Sequence, residues 1–417
     1  MQTESQHEGT EAVAAKKKVV LAYSGGLDTS YCIPYLKEKG YDVITVTVDT
    51  GGFQRQELEA IAERAHALGV LSHRTIDARD RVFDSYVSYL IKGNVLRGDV
   101  YPLSVAAERV AQAEVVAEVA REEGAAAVAH GSTGAGNDQV RFDVAFSVLL
   151  PGVPVITPIR DEAISREDEY RYLEERGMKL ERSVREYSIN AGLWGSTIGG
   201  GETHDSAAEI PDSLYERALE PDVREAPERE TRRVRLGFER GLPVALDGTP
   251  ARGPEVIREL GRLCGLYRAG FGIHIGDTVL GIKGRVAFEA GAALVLIHAH
   301  RELEKLTLTG WQRFWKDHLG EFYGKLLHEG QPFEPALRDI EALIDSSQER
   351  VSGDAIVRLR PGRFDVVGVS SPNSLMDAGA GVYGEMPKLW SGDDVRGYSR
   401  IAAIPSRLHR QARGGEQ

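Results

Sequence analysis

From Lys16 to about Gly177, short β-branched runs alternate with longer stretches that are apolar on one side only. The runs are Val19–Tyr23, Val43–Val48, His73–Ile76, Ala126–His130 and Val155–Ile159. Between them Leu58, Ile61, Ala62, Ala65 and Leu68 recur at helical spacing, and Val105 to Val119 repeats the pattern at greater length. Parallel strands need a crossover between them, so this alternation predicts a parallel sheet with helices on both faces. The fold class expected is α/β, with a doubly wound parallel sheet whose ligands lie beyond the carboxyl ends of the strands. Pro34 is expected early in the first helix, where a missing N–H costs least.

Past Gly177 the pattern changes. Asn190–Glu202 is rich in glycine and Glu209–Arg229 carries Pro211, Pro221 and Pro227, so this region reads as a long irregular connection. Hairpin signals follow at Val244–Leu246 before Asp247-Gly248, at Leu280–Ile282 before Lys283-Gly284, and at Val357–Leu359 before Arg360–Arg363. Phe314, Trp315, His318, Leu319, Phe322, Tyr323 and Leu326 share one helical face. The division expected is a disordered tail at 1–15, a nucleotide-binding domain at 16–177, a second α+β domain at 178–390 and a C-terminal tail at 391–417. A chain of 417 residues has room for two or three domains.

Composition removes several classes of function. The net charge of −12 repels nucleic acid and anionic membrane. Apolar runs such as Ala292–Ile297 are strand-sized, far short of a bilayer span. The polar, acidic start MQTESQHEGTEAVAA lacks the form of a secretory or mitochondrial leader. Cys32 and Cys264, the two cysteines, make no disulfide framework, and Cys32 reads as a small buried hydrophobe. A cytoplasmic multidomain enzyme is the expectation.

The most informative segment is Ala22-Tyr23-Ser24-Gly25-Gly26-Leu27-Asp28-Thr29-Ser30, directly after the first strand and opening a helix. Adjacent glycines allow positive φ and close approach to an anion. Ser24, Thr29 and Ser30 add hydroxyls, and the helix start adds free N–H groups and a positive dipole end. A plain glycine turn with a Ser/Thr cap is the alternative. The segment lacks the Lys of G-x-x-x-x-G-K-[ST] and the spacing of G-x-G-x-x-G. It resembles the pyrophosphate loop of the N-type ATP pyrophosphatases (adenine nucleotide alpha hydrolase-like folds), which implies adenylation, not γ-phosphoryl transfer. Asp49, 21 residues after Asp28, is read as part of the Asp49-Thr50-Gly51-Gly52 turn in preference to a ribose ligand.

A second glycine loop runs His130-Gly131-Ser132-Thr133-Gly134-Ala135-Gly136-Asn137-Asp138-Gln139-Val140-Arg141-Phe142. Asp138 suits an amine, Arg141 a carboxylate, and Thr133 and Asn137 can fix geometry. An Asn-capped helix with an exposed Asp–Arg pair fits this segment about as well. The two loops together, with scattered anchors such as Tyr187-Ser188-Ile189-Asn190 and His298-Ala299-His300, resemble the argininosuccinate synthases. That resemblance implies a carbon–nitrogen ligase of arginine biosynthesis that joins citrulline to aspartate through citrullyl-AMP, releasing AMP and pyrophosphate.

Carried over by motif, Ala22, Tyr23, Ser24, Gly25, Gly26, Leu27, Asp28, Thr29, Ser30, Val48 and Gly131 would contact ATP. Thr133, Asn137 and Asp138 would hold aspartate. Tyr101, Asn137, Arg141, Ser188 and Thr197 would hold citrulline. The resemblance also implies Mg2+ on the ATP phosphates without a dedicated metal cage, a synthetase role for 178–390, and a homotetramer in which the tail reaches a neighbour. No general base stands out. Ala106, Gly276 and Phe288 depart from the family pattern around citrulline, leaving open another adenylating enzyme that couples aspartate to a different ureido or carboxyl substrate, or a silent ATP-binding relative.

Other features read as structural. His298 and His300 would share a strand face as packing or surface residues. Arg224–Arg235, interleaved with glutamates, would be solvated surface. Trp311 and Trp315, four apart, would pack in the core.

Overall fold

The computed structural model describes residues 16–178, 187–224, 230–376, 379–385 and 388–412. The 1–15 tail, Pro227 and part of the Arg224–Arg235 run lie outside them. Lys17–Ala22 (β1), Tyr41–Asp49 (β2), Ser72–Asp77 (β3), Ala127–His130 (β4) and Val155–Ile156 (β5) form a five-stranded sheet ordered β3-β2-β1-β4-β5. All four pairings are parallel.

Successive residues of β1 serve opposite faces. Val19 and Leu21 pack with Ile33, Leu36, Ile61, Ala65 and Leu173, from helices Leu27–Glu38, Arg55–Ala67 and Arg166–Glu174. Val20 packs with Val116, Ala120, Phe142 and Phe146, from helices Ala106–Glu122 and Asp138–Leu149. Both faces are covered, which is why the runs are apolar throughout. Because β1 lies between β2 and β4, the winding reverses there, and the crevice opens where the two glycine loops leave the sheet.

Two details of this half differ from expectation. The Val155–Ile159 run is strand only at Val155–Ile156, because Pro158 opens a short helix, Pro158–Asp161. Pro34 is the eighth residue of its helix, not an early one. The glycine loop ends at Gly26, which puts the helix start at Leu27.

The glycine-rich stretch expected to be irregular is a hairpin, Tyr187–Gly192 (β6) and Gly195–Gly200 (β7). Its many glycines weaken the alternation signal that would have revealed it. The second unit adds Arg232–Glu239 (β8), Leu242–Leu246 (β9), Thr249–Pro250 (β10), Phe271–Asp277 (β11), Lys283–Glu289 (β12), Gly353–Arg360 (β13) and Arg363–Ser370 (β14). They form two antiparallel sheets, β11-β12-β7-β6 and β10-β9-β8-β13-β14. Leu280–Ile282 lies in the turn between β11 and β12, so the strand expected there begins at Lys283.

Ala292–Ile297 belongs to the helix Gly291–Thr307, as do His298 and His300, which therefore share no strand face. A short apolar run cannot by itself distinguish a strand from a buried helix. His298 packs edge-on against Phe364, while buried His300 bonds Asn94 and Gln348.

Chain order and core membership part company at Arg79–Lys92, a continuous helical stretch with a π-turn at Phe83–Val87. Its Val82, Tyr86, Leu90 and Ile91 pack in the core that contains Leu296, Leu303, Tyr323 and Ile344. Tyr89 and Lys92 both bond Asp345. The backbone of Gly93 touches Gly320, where any side chain would collide with the Gly93 carbonyl at 2.2 Å. Gly320 and Gly324 thus decide which face of the helix Gly310–His328 turns inward. Trp311 and Trp315 fall outside that face and are 75% and 59% exposed, against the expectation of core packing. Two final helices, Gly392–Ala402 and Ile404–Ala412, bury no residue.

Candidate active site

The β1 loop is made chiefly of backbone. Gly25 has φ of +73°, and a Cβ there would lie 2.7 Å from Ile61 Cγ1. The first helical bond runs from Ser30 N–H to Gly26 O at 3.0 Å, which leaves the N–H groups of Leu27, Asp28 and Thr29 outside the helix ladder. Gly26 at the N-cap supplies no side-chain cap, so nothing of its own competes for those donors. Ser24 and Thr29 hydroxyls stand 3.3 Å apart above them. Tyr23 is buried, its hydroxyl 3.4 Å from Ser30 Oγ, and its N–H bonds Val46 O within β2, two residues before buried Val48. Ala22 ends β1. Arg64 donates to the Gly25 carbonyl. Glu169, buried nearby, has its carboxyl pKa raised by desolvation and then by the Asp28 carboxylate, and so adds little negative charge to the cradle. Three free N–H groups at a helix start, with hydroxyls over them, form an anion site.

The β4 loop meets it directly. A Cβ on Gly131 would lie 3.0 Å from Thr29 Cγ2 and 3.1 Å from Thr29 N. His130 Nδ1 accepts from Ser132 N–H at 3.2 Å, which makes Nε2 the donor to Asp143 at 3.0 Å. Gln139 holds the loop's Gly134 and Gly136 carbonyls. Asn137 stands at the start of the Asp138–Leu149 helix without capping it; its Oδ1 instead accepts from Val279 N–H, 2.8 Å away in the β11–β12 turn. Thr133 is exposed at the loop's tip.

Asp138 is neither an isolated surface group nor an exposed pair. Arg109 Nε and Arg141 Nη1 each donate to it at 2.9 Å. Burial opposes its charge, but the two guanidinium groups outweigh that and hold its pKa below the usual value. Arg141 is buried and also donates from Nε and Nη2 to the His328 carbonyl. Arg109 reaches on to Asn190 Oδ1 at 2.8 Å, tying the second loop to β6.

One face of the β11-β12-β7-β6 sheet forms the opposite wall. Register sets Asn190, Thr197, Phe288 and Gly272 side by side across it. Strand alternation then brings Ser188 and His274 to the same face. Thr197 is buried and Ser188 exposed. Tyr101, buried, stacks on His274 with centroids 5.4 Å apart and tilts against Phe288 at 5.3 Å. Burial is the main reason its hydroxyl is pushed up to about 12.

Two further residues of this region escaped the sequence reading. Arg109 is hidden in an alanine- and valine-rich helix, where a lone arginine among buried positions was the available signal. Glu108, beside it, is buried with Oε1 unpartnered, and Oε2 accepts from Thr50 at 3.3 Å. A Cβ on Gly192 would strike its carboxyl at 1.8 Å, so β6 approaches that group through backbone alone. Desolvation pushes Glu108 up to about 8. Asp49 takes the turn role expected of it, accepting from Gly51 N–H at 2.8 Å.

Comparison with known proteins agrees with this arrangement. Residues 18–179 match the family described as the arginosuccinate synthase N-terminal HUP domain, and 187–409 match the arginosuccinate synthase C-terminal domain. The chain belongs to the argininosuccinate synthase family. An argininosuccinate synthase of Xylella fastidiosa is 39% identical over 400 residues, 95% of this chain and 98% of its own. Those of Pyrococcus furiosus and Dictyoglomus thermophilum are 39% and 37% identical, covering 88% and 94% of this chain and 88% and 98% of theirs. Argininosuccinate synthases are ligases, and both family domains are present here with the two glycine loops in the first.

Proposed function

We propose that this chain ligates citrulline and aspartate at the expense of ATP in arginine biosynthesis. The ureido oxygen of citrulline attacks the α-phosphorus, the bond to the bridging oxygen breaks, and pyrophosphate leaves with its electron pair. The aspartate amine then attacks the ureido carbon of citrullyl-AMP; the carbon–oxygen bond breaks, AMP departs, and the amine releases a proton. Ala22–Ser30, Val48 and Gly131 hold ATP; Thr133, Asn137 and Asp138 hold aspartate; Tyr101, Asn137, Arg141, Ser188 and Thr197 hold citrulline.

The observation that carries this reading is that the loop bearing the anion cradle touches the loop that leads to Asp138, at Gly131 against Thr29, and that Asp138 is held ionised by two guanidinium groups. An ammonium acceptor beside a pyrophosphate site is what an adenylate attacked by an amino acid requires. Positioning of the amine supplies much of the second step.

Mg2+ fits as a partner of the phosphates. Among the described residues no cluster of three His, Cys, Asp or Glu could cage a metal, and Asp28 is the carboxylate carried by the loop itself. When bound, Mg2+ neutralises the departing pyrophosphate. We further propose domain limits at 16–177 and 178–390 and a cytoplasmic homotetramer. Exposed Trp311 and Trp315, and the 392–412 arm, which buries no residue and exposes Tyr398, Ile401 and Leu408, support assembly. No helix among the described residues is long and apolar enough to cross a membrane.

The test is pyrophosphate release from Mg-ATP by the purified chain, with citrulline and aspartate added separately and together. Steady release with both, and argininosuccinate in the products, is expected; release indifferent to citrulline would overturn the assignment.

A further inference from the structure

His274 is the one polar side chain on the inward face of β11, and the backbone around it is cleared to admit its ring. A Cβ on Gly276 would lie 2.5 Å from its Nε2, and one on Gly98 would lie 3.2 Å from its Cε1. Tyr101 stacks on the same ring. Yet Nε2 is buried and has no hydrogen-bond partner. His130 and His300, by contrast, have both ring nitrogens engaged. A buried, positioned, unsatisfied imidazole nitrogen calls for a partner from outside the chain.

The charges around it indicate which kind. Arg97 faces the ring and donates to the Asp277 carbonyl at 2.6 Å. Arg141 and His328 stand behind Arg97, and burial with Arg141 and Arg97 brings His328 down to about 3, so it is neutral. The acids nearby are matched or outnumbered by cations. Asp277 pairs with Lys283 at 2.6 Å, Asp138 stands between two arginines, and Glu329 faces Arg97. Burial, then Arg97, keep His274 itself neutral. The pocket is thus short of negative charge.

We propose that His274 Nε2 donates a hydrogen bond to the carboxylate of the ureido substrate, making this ring a specificity-determining residue. The assignment rests on the Tyr101 pocket holding that substrate, as proposed above. Selection then falls on the carboxylate of citrulline more than on its amine.

The test is calorimetric titration of the full chain, loaded with the α,β-methylene analogue of ATP, by three ligands. They are citrulline, 5-ureidopentanoate, which lacks the amine, and carbamoylputrescine, which lacks the carboxylate. His274→Ala is expected to weaken both carboxylates by about tenfold or more and carbamoylputrescine by less than about twofold. His274→Gln, which keeps an N–H donor, recovers part of the loss. Proton uptake on binding citrulline near neutral pH, measured in buffers of different ionisation enthalpy, is expected in the wild type and reduced in His274→Gln. Equal weakening of all three ligands, or of none, overturns the role of His274 even if ligation is normal. The stated binding pattern without citrulline-dependent pyrophosphate release overturns the function and spares His274; failure of the wild type to bind any of the three overturns both.

Discussion

The loop after β1 meets a ligand with backbone, whereas the loop after β4 meets it with side chains that other side chains hold in place. The first is complete within nine residues, Ala22 to Ser30, and its donors follow from a glycine turn feeding a helix. The second works only because Arg109 comes from one helix, Arg141 from another and Asn190 from a strand of the other unit. A site made of backbone tolerates change around it and fails when the turn fails. A site made of linked charges fails wherever any link is cut.

The largest effect should follow from cutting the second. Asp138→Ala leaves Arg109 and Arg141 without their shared counter-charge, at a cost of about 3 kcal/mol, roughly a hundredfold. Aspartate use should be lost while citrulline-dependent adenylation remains detectable by isotope exchange between pyrophosphate and ATP. Loss of both partial reactions in a folded protein would contradict that division of labour.

Gly25→Ala tests the first loop. It should destabilise by about 2 kcal/mol through positive φ and collision with Ile61, read as a lower urea midpoint. Adding Ile61→Ala should relieve the collision but not the backbone strain, so ATP affinity should stay impaired. Recovery of both would mean the conformation matters less than the packing.

Gly131→Ala probes where the two loops touch. Its backbone is unstrained, and its Cβ needs Thr29 to give by a few tenths of an ångström, about 1 kcal/mol. The KM for ATP should rise several-fold with aspartate binding little changed. An equal rise for both would show that the loops behave as one body.

Glu108→Gln should have the smallest effect at pH 5, growing with pH. The folded carboxyl is pushed up to about 8 from its ordinary 4.5 by burial. Its stabilising contribution is therefore complete below about 4.5 and is lost as pH rises through 8. The variant, having nothing to ionise, should gain thermal stability relative to the wild type across that window, as paired melts at pH 5 and pH 8 would show.

The same contrast explains what could be read from the sequence. The parallel sheet and the β1 cradle were legible because period and glycine spacing are local properties. Asp138 could be noticed but not understood, since its partner Arg109 lies 29 residues before it and is itself held by Asn190, 52 residues after it. The β6–β7 hairpin was missed because glycines blurred its alternation. Trp311 and Trp315 are exposed, not core residues, because Gly320 and Gly324, the two glycines that meet Gly93 and Val95, select the buried face of their helix.

The Arg79–Lys92 stretch has a further consequence, for the order in which the protein is made. Tyr86, Leu90 and Ile91 leave the ribosome early, but the residues that cover them, Leu296, Leu303 and Tyr323, follow some two hundred residues later. At ordinary elongation rates that is about 10–40 s during which an apolar ridge waits uncovered on a nascent chain. The parallel sheet can close in that interval, yet the domain around it stays unfinished until synthesis is nearly over. Chaperones therefore have a defined window, and a defined target, in the biogenesis of this enzyme.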